Sequence, residues 1–181
     1  MRYHYCPLCG SRLTVKPAGD DGDVPYCTSC DRYWFEIFNS CVIVLVYNED
    51  DEVILEKQAY QTSPYRSFVA GYIQPGETAE ACAVREVKEE VGIDLQDLEY
   101  VGTFWFAPRE QLMHGYIAYA PKQKLVLSKE LAEGIWVPGT EAGQYLYPDP
   151  PAAAAHGIYH YFLKKRGLIP DKAYIDKDKR N

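Results

Sequence analysis

The sequence predicts an α+β fold preceded by a small cysteine-based module, and three observations carry that expectation. Apolar runs of strand length recur between turn residues; the stretch Thr78 to Val91 contains no glycine or proline and stops at Gly92; and two Cys-x2-Cys pairs stand near the N-terminus. A chain of 181 residues that is 47% hydrophobic can bury one good core and leaves room for a small satellite. The expected boundaries are a module over 1–35, a main domain over 36–170 and a charged tail over 171–181.

Cys6 and Cys9 form C-P-L-C, and after 17 intervening residues Cys27 and Cys30 form C-T-S-C. That is the paired-knuckle spacing of a four-thiolate zinc site. Two disulfides are the alternative and would suit a secreted chain, but no N-terminal apolar signal region precedes them, and a reducing compartment favours zinc. About 35 residues can hardly hold a fold without such a metal, and four thiolates leave no position open for chemistry, so its expected role is structural. Cys41 and Cys82 belong to no motif and read as small buried fillers.

Beyond the cysteines, Cys41 to Tyr47 is a nearly continuous apolar run ended by Asn48-Glu-Asp-Asp, which predicts a buried strand turning into a second one over Glu52 to Gln58. Phe68 to Tyr72 should lead into the loop before the long helix. Tyr100 to Phe106 and Leu112 to Ala120 read as further strands, and Ile135 to Val137 as a short one. Ala152 to Lys165, behind Pro150 and Pro151, reads as a closing helix. The tail Asp176 to Asn181 is expected to be disordered.

The helix over Thr78 to Val91 has Thr78 as an N-cap and Gly92 where a C-terminal glycine belongs. At about 100° per residue, Val84, Val87 and Val91 share one face while Glu86, Glu89 and Glu90 lie roughly opposite. A solvated surface is the ordinary reading of such acids. Here Glu86 and Glu90 are like charges at i,i+4, and Glu89 and Glu90 sit in the last turn, where the macrodipole disfavours anions. A hard divalent cation such as Mg²⁺ would offset both costs and could bridge to substrate phosphates.

Gly71 to Ile93 reads GYIQPGETAEACAVREVKEEVGI. Gly71, Glu77, Arg85, Glu86, Glu89, Glu90 and Gly92 match the Nudix box G-x5-E-x7-R-E-U-x-E-E-x-G-U, with Val87 and Ile93 in apolar slots. The segment therefore resembles the Nudix hydrolase family, whose fold is a mixed β-sheet sandwiched between α-helices. The resemblance implies that Glu86 and Glu90 ligate Mg²⁺ or Mn²⁺ and that Glu89 shares the metals or activates water. It further implies that Arg85 and Glu77 form an ion pair orienting the helix. Gly71 lets the chain turn closely over the metal site, and the Ala70 carbonyl is a candidate further ligand.

A four-cysteine ribbon ahead of this box resembles the NADH pyrophosphatase branch, whose members cleave NAD(H) into nicotinamide mononucleotide and AMP. The resemblance spans about residues 3 to 167. It includes V-A-G-Y ending at Tyr72, Leu112-Met113, Lys129 to Leu131 ahead of Trp136, and Asp149 to Pro151. It implies that Glu130 is a metal ligand beyond the box and that Ala70, Tyr72 and Ala155 lie at the substrate. Where the branch carries S-Q-P-W-P-F-P-x-S, this sequence has Thr103-Phe-Trp-Phe-Ala-Pro-Arg-Glu-Gln111, keeping aromatic character without most of the prolines or either serine. Phe104, Trp105 and Phe106 are candidates to stack on a base, although an aromatic stripe in a strand is first of all core. The branch has a domain ahead of its ribbon; here the cysteines begin close to Met1, and that domain is expected to be absent.

The implied reaction is metal-assisted hydrolysis of a nucleoside diphosphate linked to another group, with NAD(H) leading. ADP-ribose, a dinucleoside polyphosphate and the NAD-type cap of an RNA 5′ end need the same chemistry and stay open. A nucleotide-sensing module without turnover is the alternative of another class, against which the costly glutamates argue. The formal net charge of -7 speaks against a duplex nucleic-acid partner. No apolar run approaches the ~20 residues of a membrane span, so no membrane partner and a cytoplasmic location are expected. The resemblance also implies a homodimer.

Overall fold

Backbone turns around the cysteines shape the first of two units, which divide between Phe38 and Asn39. In this computed structural model, residues 3–150 and 152–169 are described. Cys6 N–H donates to the Ser11 carbonyl at 2.8 Å, and Gly10, at φ 73°, donates to the Cys6 carbonyl at 2.9 Å. A positive φ of this size is one that glycine adopts without a Cβ penalty. Strands β1 (Thr14–Pro17), β2 (Asp23–Cys27) and β3 (Arg32–Tyr33) follow as an antiparallel sheet in that order. Cys6, Leu13 and Cys27 form its small core, with Tyr3, Cys30 and Trp34 packed against them.

In the second unit the apolar run expected to begin at Cys41 forms β4 (Asn39–Tyr47). Because it is buried on both faces, its side chains serve two cores: Ile43, Leu45 and Tyr47 point to one, Val42, Val44 and Val46 to the other. The remaining strands are β5 (Glu52–Gln58), β6 (Val69–Tyr72), β7 (Asp97–Phe106), β8 (Gln111–Tyr119) and β9 (Leu131–Pro138). The sheet order is β7-β8-β4-β5-β9; β4 and β8 are parallel and the other neighbours antiparallel.

Helix α1 (Ala79–Val91) places Cys82, Ala83, Val87 and Val91 in the core of Val42, Val44 and Val46. Helix α2 (Ala153–Lys165) places Ile158, Tyr159 and Phe162 in the other. A mixed sheet thus lies between two helices, as the sequence led us to expect. Strand β9 is longer than the three residues anticipated, because Ala132 to Gly134 lack the apolar pattern of a strand yet pair with β5. Among the described residues no helix is long and apolar enough to cross a membrane. The 171–181 tail and Pro151 lie outside the described residues.

One local feature of the sheet matters for chemistry. Strand β4 parts from β5: its early residues Cys41 to Val44 pair with β6, and only Tyr47 pairs with β5, at Val53. Strand β5 is then held by Ser67, which exchanges two 2.9 Å backbone hydrogen bonds with Glu56, and by β9, with a bulge between Lys57 and Gln58. Bulges re-aim side chains and recur beside functional sites.

Candidate active site

Helix α1 begins and ends as its sequence dictates. Thr78 Oγ1 accepts from the Ala81 N–H at 3.2 Å, and Gly92, at φ 77°, donates to the Lys88 carbonyl at 3.1 Å. The assignment of faces needs correction. Val84 is 46% exposed, whereas Glu90 is only 6% exposed. The buried arc runs through Ala83, Val87 and Glu90, so Val84 falls outside it. The acids border the packed face instead of opposing it, and Glu90 enters the interior.

Arg85 organises the exposed side of this arrangement. Its Nε and Nη2 donate to Glu77 Oε1 and Oε2 at 2.8 and 2.9 Å, and Nη1 donates to Glu86 Oε1 at 2.7 Å and Glu89 Oε2 at 2.9 Å. Nη2 also reaches the Tyr72 carbonyl at 3.2 Å. Glu77 Oε2 accepts from the Gln74 N–H at 3.0 Å, which ties the loop before the helix to the same guanidinium. Arg85 and that N–H hold the Glu77 carboxyl down at about 2. Gly71 supplies the space for Glu86: a Cβ there would sit 2.0 Å from Glu86 Oε1.

The interior side carries a residue that the sequence reading passed over. Glu56, on β5, is 1% exposed. Gln58 Nε2 donates to Glu56 Oε1 at 3.2 Å and to Glu90 Oε1 at 3.1 Å, while the second oxygen of each carboxylate is buried without a partner among the described residues. Burial, then the neighbouring Glu90, pushes Glu56 up to about 10; burial also raises Glu90, and raises Glu86 against the pull of Arg85. Two buried acids sharing one amide donor are costly unless a cation or proton compensates. Hard oxygen donors with orphaned lone pairs fit a divalent ion such as Mg²⁺ or Mn²⁺. The signal for Glu56 was its place in V-I-L-E, where strand alternation sets it on the same face as Ile54.

The structure does not draw all the predicted ligands together. Glu86 and Glu89 turn to Arg85, and Glu90 turns to Gln58. Glu130 is exposed in the turn before β9, where its charge acts on Glu90 and its carbonyl accepts from the Ala59 N–H at 2.7 Å.

A cleft of about 460 Å³ opens beside Glu56 and Gln58. Ala70, Gly71, Tyr72, Phe106 and Ala155 line it, joined by Arg66, Arg109, Gln111, Met113 and Tyr147, which the sequence reading had not singled out for the site. Phe104 and Trp105 are not in the lining. Phe104 packs beneath α2, its ring 2.4 Å from where a Cβ on Gly157 would sit, and Trp105, on the opposite face of β7, is 50% exposed. Gln111 Nε2 donates to Tyr72 Oη at 2.6 Å and so fixes one wall.

In the first unit the sulfurs of Cys6, Cys9, Cys27 and Cys30 all lie within 4.8 Å of one another. Cys6 Sγ to Cys30 Sγ is 3.9 Å and Cys9 Sγ to Cys27 Sγ is 3.6 Å. Tetrahedral zinc with Zn–S near 2.3 Å requires sulfurs about 3.8 Å apart, so the set fits that ion. All six cysteines are free thiols, and Cys41 and Cys82 are buried as expected. Burial pushes them up to about 11 and about 12 respectively.

A model of the NUDIX domain matches residues 38–162, more than half of the chain. The chain belongs to the NUDIX domain family. A Pseudomonas fluorescens protein named NAD-capped RNA hydrolase NudC is 28% identical over 162 residues, covering 89% of this chain and 55% of its own length. A Pseudomonas putida protein of the same name is 30% identical over 174 residues, covering 93% of this chain and 59% of its own. The chain thus spans somewhat over half the length of these relatives. A NUDIX hydrolase structure from Nitrosomonas europaea superposes with a TM-score of 0.67 at 18% identity, covering 93% of this chain and 95% of that one, and shares the NUDIX fold.

Proposed function

We propose that this chain is a metal-dependent pyrophosphohydrolase that cleaves the diphosphate of a nucleoside diphosphate linked to another moiety. The leading substrate is NAD(H), split to nicotinamide mononucleotide and AMP. The observation that carries this reading is the pair of buried carboxylates, Glu56 and Glu90, each with an orphaned oxygen, beside a cleft of dinucleotide-compatible size. The name shared by the Pseudomonas relatives supports an NAD-type substrate and brings in the NAD-capped 5′ end of RNA as a second form of it.

In this proposal Glu86 and Glu90 hold Mg²⁺ or Mn²⁺, with Glu56, Glu89, Glu130 and the Ala70 carbonyl as further oxygen donors. Such an ion supplies Lewis acidity at phosphorus and lowers the pKa of water. Glu89, an exposed acid on α1, takes the proton as a water oxygen bonds to phosphorus and the bridging P–O bond breaks. Arg85 and Glu77 position the helix without touching the reacting atoms. Tyr72, Phe106 and Ala155 form the wall against which the nucleoside lies.

The four cysteines hold a structural Zn²⁺ in the first unit. A homodimer, implied by the resemblance, and a cytoplasmic location, expected from the sequence, are part of the same proposal. The test is product analysis after incubation with Mg²⁺ and NADH, NAD, ADP-ribose or diadenosine polyphosphates. AMP and the reduced mononucleotide should form fastest from NADH; a strong preference for ADP-ribose would move the substrate assignment to that ligand.

A further inference from the structure

We propose that Arg109 is a substrate-binding residue whose guanidinium takes the anionic diphosphate at the rim of the cleft. The inference rests on the reading above that the substrate is a diphosphate. Arg109 ends the 3₁₀ turn Ala107–Arg109 between β7 and β8, a turn closed by Glu110 at φ 50°. It lines the same cleft as Gln111, Tyr72 and Gly71. Gln111 fixes Tyr72 through its hydroxyl, and Gly71 is the residue against which Glu86 packs. Arg109 thus shares the cleft with the glycine against which Glu86 packs.

The charges explain why this arginine stands apart. Among the described residues of the second unit, Arg66 is paired with Glu133, Arg85 with Glu77, Glu86 and Glu89, and Arg166 with Asp51. No carboxylate among the described residues pairs with Arg109. Arg66 also lines the cleft, but Glu133 Oε2 accepts from it at 2.7 and 3.1 Å, and its charge is already answered.

A diphosphate drawn to an ion held by Glu56, Glu86 and Glu90 still carries negative charge on its side away from them, and a cation on the cleft rim would answer it. Guanidinium matches phosphate through paired, charge-assisted hydrogen bonds. Cys41, whose backbone pairs with Tyr72 on β6, lines the same cleft as Arg109.

Arg109 is exposed, so its replacement should leave the fold intact. The test is calorimetric titration of wild type, Arg109→Ala and Arg109→Lys with ADP and with adenosine in Mg²⁺, alongside NADH turnover. Arg109→Ala should weaken ADP about tenfold or more, leave adenosine unchanged and raise KM for NADH, with Arg109→Lys recovering part of the loss. Equal ADP affinity in wild type and Arg109→Ala overturns the proposal, as does a wild type that binds ADP no more tightly than adenosine. If ADP binding depends on Arg109 but no diphosphate is hydrolysed, the hydrolase reading fails and the anion site stands. If NADH is hydrolysed and Arg109→Ala matches wild type in both assays, the reverse holds.

Discussion

A Cβ added to Gly71 would lie 1.9 Å from the carboxyl carbon of Glu86. The glycine at the start of the box is thus required by the space that one acid occupies. The atoms in conflict belong to the end of a flexible side chain, which can swing away at little cost to the fold.

Gly71→Ala should therefore fold with a far-UV spectrum and melting temperature close to wild type, while turnover falls by about tenfold to a hundredfold, the range seen when the support of a metal ligand is lost. A variant that turns over normally would show that Glu86 does not need this space, and one that melts far lower would show that its side chain cannot swing away.

The two buried acids make separable predictions. Glu90→Gln keeps shape but removes the charge of a proposed metal ligand, and turnover should fall by at least about a hundredfold with the fold retained. Glu56→Gln removes a buried carboxyl that lacks a full set of partners, so stability should hold or rise while Mg²⁺ affinity drops. Thermal melts with and without Mg²⁺ check both: the ion should raise the melting temperature of wild type and do so less for either variant.

The helix carrying these acids was legible in the sequence to within a residue at each end, because capping and glycine signals are local. Glu56 was not, since it comes from another strand about 30 residues away in sequence and is hidden in an apolar run. The face assignment failed for a related reason. Helical periodicity orders residues around an axis but does not fix which arc a sheet will cover, and here the covered arc included Glu90 and left Val84 outside. Arg66 stands in an isolated β-bridge and Arg109 in a short 3₁₀ turn, where no periodicity announces them.

Aromatic residues of β7 should separate in kinetics. Phe106 lines the cleft, so Phe106→Ala should raise KM for NADH about fivefold or more, with little change in kcat, given roughly 1 to 3 kcal/mol for base stacking. Trp105→Ala should leave KM within about twofold. Phe104→Ala should instead cost stability, on the order of 3 kcal/mol for a large core truncation. A KM effect confined to Trp105→Ala would contradict the cleft as described.

Glu77 has its carboxyl held at about 2, chiefly by Arg85, below the ordinary value of about 4.3. A depressed acid contributes stability above its ordinary value and loses that contribution as pH falls through the folded one. The loop from Gln74 to Glu77 should therefore stay tied to Arg85 until pH drops below about 4 and be released toward about 2. Carboxyl NMR titration of Glu77 reads this directly, and a midpoint near 4.3 would remove the ion pair from the account.

The protein should carry about one zinc per chain, and Cys27→Ser should release it and loosen the first unit while leaving the acids of α1 in place. Elemental analysis without zinc, together with a mass showing two disulfides, would replace the metal with crosslinks.

The central claim is that the acids of α1 and β5 hold a divalent cation that turns over a diphosphate. The most direct measurement is NADH cleavage by wild type and Glu86→Gln across a Mg²⁺ titration, with products separated by chromatography. The account predicts that wild type forms AMP and reduced nicotinamide mononucleotide in proportion to bound Mg²⁺ and not in chelator, and that Glu86→Gln loses at least about a hundredfold at saturating ion. Equal product formation in chelator, or by Glu86→Gln at any Mg²⁺ concentration, would contradict it.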